Sequence, residues 1–189
     1  GLVRYASASQ EQTTHFNFNV GFEKLGIFTG ITNSNFGNLK MGSVRGKEYP
    51  EFGMVKKYSA LTLDGNDTTV INEDPNVQVP SGYSQVNLIQ KVVYKPTDKL
   101  DLGLNIQYST TSTIPRFDKL NDGDGICLFD SLGVCSSGES LRFHSYYYGP
   151  QERFFSSLQF TLFEQYFDKS DIIFAYQKIK ESRHKWYLD

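Results

Sequence analysis

Along 100–108 apolar and polar residues alternate strictly. Leu100, Leu102, Leu104, Ile106 and Tyr108 are separated by Asp101, Gly103, Asn105 and Gln107. Successive strand side chains point to opposite faces, so this pattern predicts a strand with one aliphatic and one hydrogen-bonding face. Over 15–23 the same pattern sets Phe16, Phe18, Val20 and Phe22 against Asn17, Asn19, Gly21 and Glu23. Val86, Leu88, Val92 and Tyr94 make a third stripe, interrupted by Gln90. Phe154, Leu158, Phe160 and Leu162 make a fourth, with Ser157, Gln159 and Thr161 opposite. Segments 27–35 and 172–182 also read as strands, with looser alternation. No segment carries a 3.6-residue stripe. The expected fold class is all-β.

The connections separate two all-β architectures. Lys24-Leu25-Gly26, Lys95-Pro96-Thr97-Asp98-Lys99 and the stretch 164–170 are short, whereas 36–82 and 111–152 are long and polar. With strands running up and down in order, the short turns fall on one side and both long loops on the other. Loops this long are unusual in a compact soluble domain. Together with strands of roughly ten residues and Tyr94 and Tyr108 at stripe ends, they predict part of a large up-and-down antiparallel transmembrane β-barrel, about seven strands of it. A secreted soluble β-sandwich, its apolar stripes buried sheet against sheet, is the alternative.

Composition narrows the picture. Lys and Arg number 19 against 21 Asp and Glu, a net charge of -2, which lacks the basic field that nucleic-acid binding needs. Mean hydropathy is -0.42 and there is no long apolar run, so no transmembrane helix is expected. Half-apolar strands remain compatible with a bilayer. The chain opens at Gly1 with neither Met nor signal peptide and closes in a patterned segment, so we expect an internal piece of a longer protein.

Candidate chemistry is sparse. Cys127 and Cys135 stand in a Gly/Ser/Asp-rich stretch without zinc spacing, and a loop disulfide is expected if the compartment is oxidising. Two free thiols are the alternative. The acidic groups Asp64, Asp67, Glu73 and Asp74, and Asp122-Gly123-Asp124-Gly125, lack calcium-loop spacing and read as turn chemistry. No metal site and no resident cofactor are expected. His144 sits among Phe143, Tyr146, Tyr147 and Tyr148, which makes it the best-placed histidine for a ligand contact. Arg116 and Asp118 share a face in an extended chain, where they pair with each other or with a neighbouring loop. Arg116, His144, Tyr146 and Tyr147 are therefore the candidate ligand-binding residues. With three His and no G-x-S-x-G elbow, no catalytic residue is assigned and no enzyme is expected. An outer-membrane β-barrel enzyme is the more distant alternative.

The long segments carry Asn35-Phe36-Gly37-Asn38-Leu39-Lys40-Met41-Gly42 with Glu48-Tyr49-Pro50-Glu51-Phe52-Gly53, then Asn72-Glu73-Asp74-Pro75-Asn76-Val77-Gln78 with Ser81-Gly82-Tyr83-Ser84-Gln85. Ile114-Pro115-Arg116-Phe117-Asp118-Lys119-Leu120, Tyr147-Tyr148-Gly149-Pro150-Gln151-Glu152-Arg153 and 175–183 follow. In this order the phrases resemble TonB-dependent outer-membrane receptors of the haemoglobin/transferrin type. The Cys127–Cys135 region looks like an insertion, Tyr146 stands where a Trp is frequent, and Lys180 where an acid is common.

The resemblance implies a barrel domain spanning 1–189, lacking the N-terminal plug and the remaining strands of a barrel of roughly 22. It implies residence in the Gram-negative outer membrane, in contact with its lipid. It implies uptake of haem, haemoglobin or another iron carrier, energised by the TonB complex through the absent plug. The stripes would face lipid, while Asn17, Asn19, Asn105 and Gln107 would face the lumen.

Overall fold

The computed structural model describes residues 1–120, 128–129, 135–136, 141–164 and 166–187. The chain begins with β1 (Leu2–Ala6), β2 (Glu11–Gly21) and β3 (Leu25–Phe36). The first long connection contains β4 (Leu39–Lys40), β5 (Lys57–Leu61), β6 (Asp67–Ile71) and β7 (Val77–Gln78). Next come β8 (Tyr83–Thr97) and β9 (Leu100–Thr111). The second long connection carries β10 (Ile114–Pro115), α1 (Phe117–Leu120), β11 (Leu128–Phe129), β12 (Cys135–Ser136) and β13 (Phe143–Tyr148). The last three strands are β14 (Glu152–Glu164), β15 (Phe167–Lys180) and β16 (Arg183–Tyr187).

Seven strands form one antiparallel sheet in the order β1-β2-β3-β8-β9-β14-β15, each pairing with its neighbours in chain sequence once the connections are set aside. The all-β expectation is therefore met, and the sheet is open: no strand pairs with the outer edge of β1 or β15 among the described residues. Three turns lie at one end, joining β2 to β3, β8 to β9 and β14 to β15. Both long connections lie at the other. The β1–β2 turn shares that second end, so a short turn sits on the long-loop side as well. The 95–99 turn is also tighter than expected. Strand β8 runs on through Pro96, and the pairing shifts register between Tyr94 and Thr97, which accommodates a residue with no donor.

Register places every apolar stripe on one face. Val20, Ile27, Val92, Leu104, Leu158 and Phe174 form one cross-strand row. Phe16, Ile31, Leu88, Tyr108 and Phe154 form another. The opposite face carries Asn17, Asn19, Asn87, Asn105, Gln107, Ser109 and Gln159, with Phe28, Ile89 and Phe155 among them.

Nothing among the described residues covers the apolar face. Phe16 keeps 57% of its surface exposed, Leu158 40% and Phe174 63%. The buried apolar residues are Val55, Leu120, Phe143 and Tyr146, all in the long connections. This protein has its core in the loops and its greasiest surface on the sheet.

Candidate functional site

The loop layer is built on a second, three-stranded sheet in the order β10-β13-β16. Its strands follow or precede β9, β14 and β15 respectively in the chain and keep their spatial order, so the order of the main sheet continues into this second sheet. Gly149 makes the joint between β13 and β14. Its φ is +100°, and a Cβ there would lie 3.1 Å from the Gln151 nitrogen and 3.2 Å from the Ser112 oxygen. Only glycine fits without strain.

Strand β13 carries three of the four candidate ligand residues, and pairing with β16 distributes them. Tyr146 is buried with Phe143 and Leu120. Its ring lies beneath the Arg116 guanidinium at 5.2 Å and the Lys185 ammonium at 5.1 Å. Tyr147 stacks on His184, with ring centres 5.0 Å apart. His144 meets Trp186 edge to face at 5.1 Å, and its Nδ1 is 3.0 Å from Ser59 Oγ on the β5–β6 hairpin. Arg142 lies over Phe143 and Tyr187 at 5.3 and 5.8 Å.

Arg116 pairs with Asp118, across the start of α1 rather than along an extended chain. Its Nε and one terminal nitrogen donate to the two carboxylate oxygens at 2.8 and 2.7 Å. The other terminal nitrogen donates to the Tyr148 hydroxyl at 2.6 Å. The Arg116 hydrogen bond holds the Asp118 carboxyl below its ordinary range. The backbone N–H of Arg116 donates to the Tyr146 carbonyl at 2.8 Å, which fastens α1 to β13.

Sequence reasoning named Arg116, His144, Tyr146 and Tyr147, and the structure gathers all four around β13. It adds Arg142, His184, Lys185 and Trp186. The stripe of 172–182 ends before β16, so nothing in the sequence pointed to the pairing that brings these residues in.

The first connection is ordered by amides. Asn72, 8% exposed, donates from Nδ2 to the Val55 and Val77 carbonyls at 2.8 and 2.9 Å. Asn38 Oδ1 accepts from the backbone nitrogens of Ser81 and Gly82 at 2.8 and 3.1 Å. Asp74 Oδ1 accepts from Asn76 N at 3.1 Å, the turn chemistry expected of that acidic stretch. No group of three or more His, Cys, Asp or Glu is gathered for a metal among the described residues. Cys127 lies outside the described residues, and with it the disulfide expectation.

The site thus presents rings and cations side by side: an aromatic wall with guanidinium and ammonium groups over it. Such a surface suits a planar or anionic ligand. No family model, curated protein or solved structure matches this chain.

Proposed function

We infer that this chain is part of the wall and outer loops of a TonB-dependent outer-membrane receptor that binds haem or another iron-carrying ligand for uptake. The uncovered apolar face of seven sequential antiparallel strands carries the inference. Seven strands at about 4.8 Å make a band roughly 29 Å wide. From Val86 to Tyr94 the stripe is about 27 Å of strand at ~3.4 Å per residue. Tilted by about 40°, that gives a height near 21 Å, close to the ~25 Å apolar band of outer-membrane barrels. A soluble monomer rarely exposes an apolar patch beyond a few hundred Å². Long structured connections at one end and tight turns at the other fit an extracellular and a periplasmic side. The aromatic and cationic wall around β13 supports a ligand with a flat ring system or acidic groups. The phrases quoted above supply the family and the iron cargo.

Two experiments test this reading. Leu104 stands in the middle of the apolar row, where a lipid-facing arginine costs about 2–4 kcal/mol. Leu104→Arg in the full-length parent should abolish assembly in outer membranes, and normal assembly would remove the lipid-facing assignment. Cells lacking the parent should lose growth on haem, haemoglobin or an iron chelate. Unchanged growth on all of them would end the uptake reading. The Ser59–His144 contact is the one observation that favours a hydrolase instead. Ester or peptide hydrolysis by the purified parent, lost on His144→Ala, would establish that second reading.

A further inference from the structure

The polar face holds a concavity of about 340 Å³ whose lining includes Thr32, Asn87, Gln107, Ser109 and Arg153. Gly30 also lines it, and a Cβ there would come within 2.9 Å of Ile89 Cγ2, so the absent side chain keeps the space open. Hydrogen bonds around this groove fix which polar groups are left to face it. Asn87 Oδ1 accepts from Gln85 Nε2 at 3.0 Å and from Ser109 Oγ at 2.7 Å, so the Asn87 amide nitrogen keeps its donors for another partner.

On the far side, Asn17 Nδ2 lies 2.8 Å from His15 Nε2, and His15 Nδ1 lies 2.7 Å from Thr32 Oγ1. With the amide nitrogen as donor the ring proton stands on Nδ1, and the threonine keeps its hydroxyl hydrogen for a further acceptor. The Gln107 amide and the Arg153 guanidinium have no side-chain partner among the described residues. Donors therefore converge on the groove, and one of them carries a fixed positive charge.

We propose that this groove binds a small carboxylate-bearing molecule, with Arg153 as its fork and Asn87 and Thr32 as further donors. An ionised carboxylate only accepts, has about four lone-pair sites, and takes the guanidinium in a two-pronged contact. The volume lies at the small end of ligand cavities. Acidic neighbours set the direction of approach. Glu152 and Glu181 line the adjoining space on the loop side, and Glu152 is held by Lys180 at 2.8 Å. The carboxylate accordingly sits on the Asn87 side of Arg153. The proposal depends on the polar face alone and stands apart from the membrane reading.

Titrating the full-length protein in detergent at low salt, with succinate as probe and uncharged succinamide as control, tests it by calorimetry. Succinate should bind at least tenfold more tightly than succinamide, and Arg153→Gln should lower succinate affinity tenfold or more. Arg153→Lys, which keeps the charge and loses the fork, should fall between. Asn87→Asp, which sets an anion where a donor stood, should abolish binding. Strand content by circular dichroism identifies the variants that fold, and if Arg153→Gln does not, Asn87→Asp carries the test. The proposal is overturned if the wild-type protein ignores succinate, if it binds both probes alike, or if the folded variants bind as wild type does.

Discussion

Arg116 directs both arms of its guanidinium at neighbours, Asp118 on one side and the Tyr148 hydroxyl on the other, while two tyrosine rings lie beneath it. A ligand would have to share it or displace Asp118. This contact makes α1 sensitive to acid, with a sign that can be worked out. Asp118 has a folded-state pKa below the carboxyl's ordinary 3.8, so its contribution is fully present above 3.8 and is lost as pH falls through the lower value. Hydrogen exchange of the 117–120 amides should therefore lose protection, relative to the sheet, as pH drops below that window. Asp118→Asn should remove the pH-dependent part of this loss.

Asn72 poses the complementary test. Asn72→Leu would strip the Val55 and Val77 carbonyls of their donor at a buried position, at a cost of about 1–3 kcal/mol. Proteolysis should then open 37–82 faster while the main sheet stays resistant.

At the scale of elements, the long strands were legible because a period of two cannot be mistaken once it persists for nine residues. Leu100 to Tyr108 and Phe16 to Phe22 are plain in the sequence and lie where expected. Strand β1 was not, because Leu2 and Val3 are adjacent apolar residues and the segment is too short to establish a period. The candidate site was legible only by residue type. Its geometry depends on β16 finding β13 across the whole of β14 and β15, a register that no local pattern encodes. The tyrosines of 146–148 pointed to the right strand without showing that Tyr146 would be its core.

Gly149 is where sequence and element meet again. Tyr148-Gly149-Pro150-Gln151 carries the chain from β13 into β14. Gly149→Ala would force a side chain into a left-handed backbone against two backbone atoms, costing about 1–3 kcal/mol. Thermal denaturation followed by tryptophan fluorescence, with Trp186 as reporter, should show the β13–β16 layer melting earlier in that variant.

At the scale of the molecule, apolar side chains divide between two environments. Val55, Leu120, Phe143 and Tyr146 in the long connections are buried, whereas the rows on the sheet face outward. An apolar face of this extent calls for a cover, of lipid or of protein. Transferring the purified 189-residue chain from detergent to plain buffer should send it into aggregates, helped by the open edges of β1 and β15. A chain that stays monodisperse in buffer would mean that the apolar rows are sheltered within these 189 residues themselves.

The prolongation of β9, β14 and β15 into β10, β13 and β16 has a mechanical consequence. Six residues of strand, the length of β13, reach about 20 Å, and they rise from the same staves that form the main sheet. A ligand held against Tyr147, His184 or Trp186 would rest on a stiff parapet. Its distance from the main sheet would be set by strand length, and small displacements in β13 or β16 would be passed down the strands they prolong to the polar face.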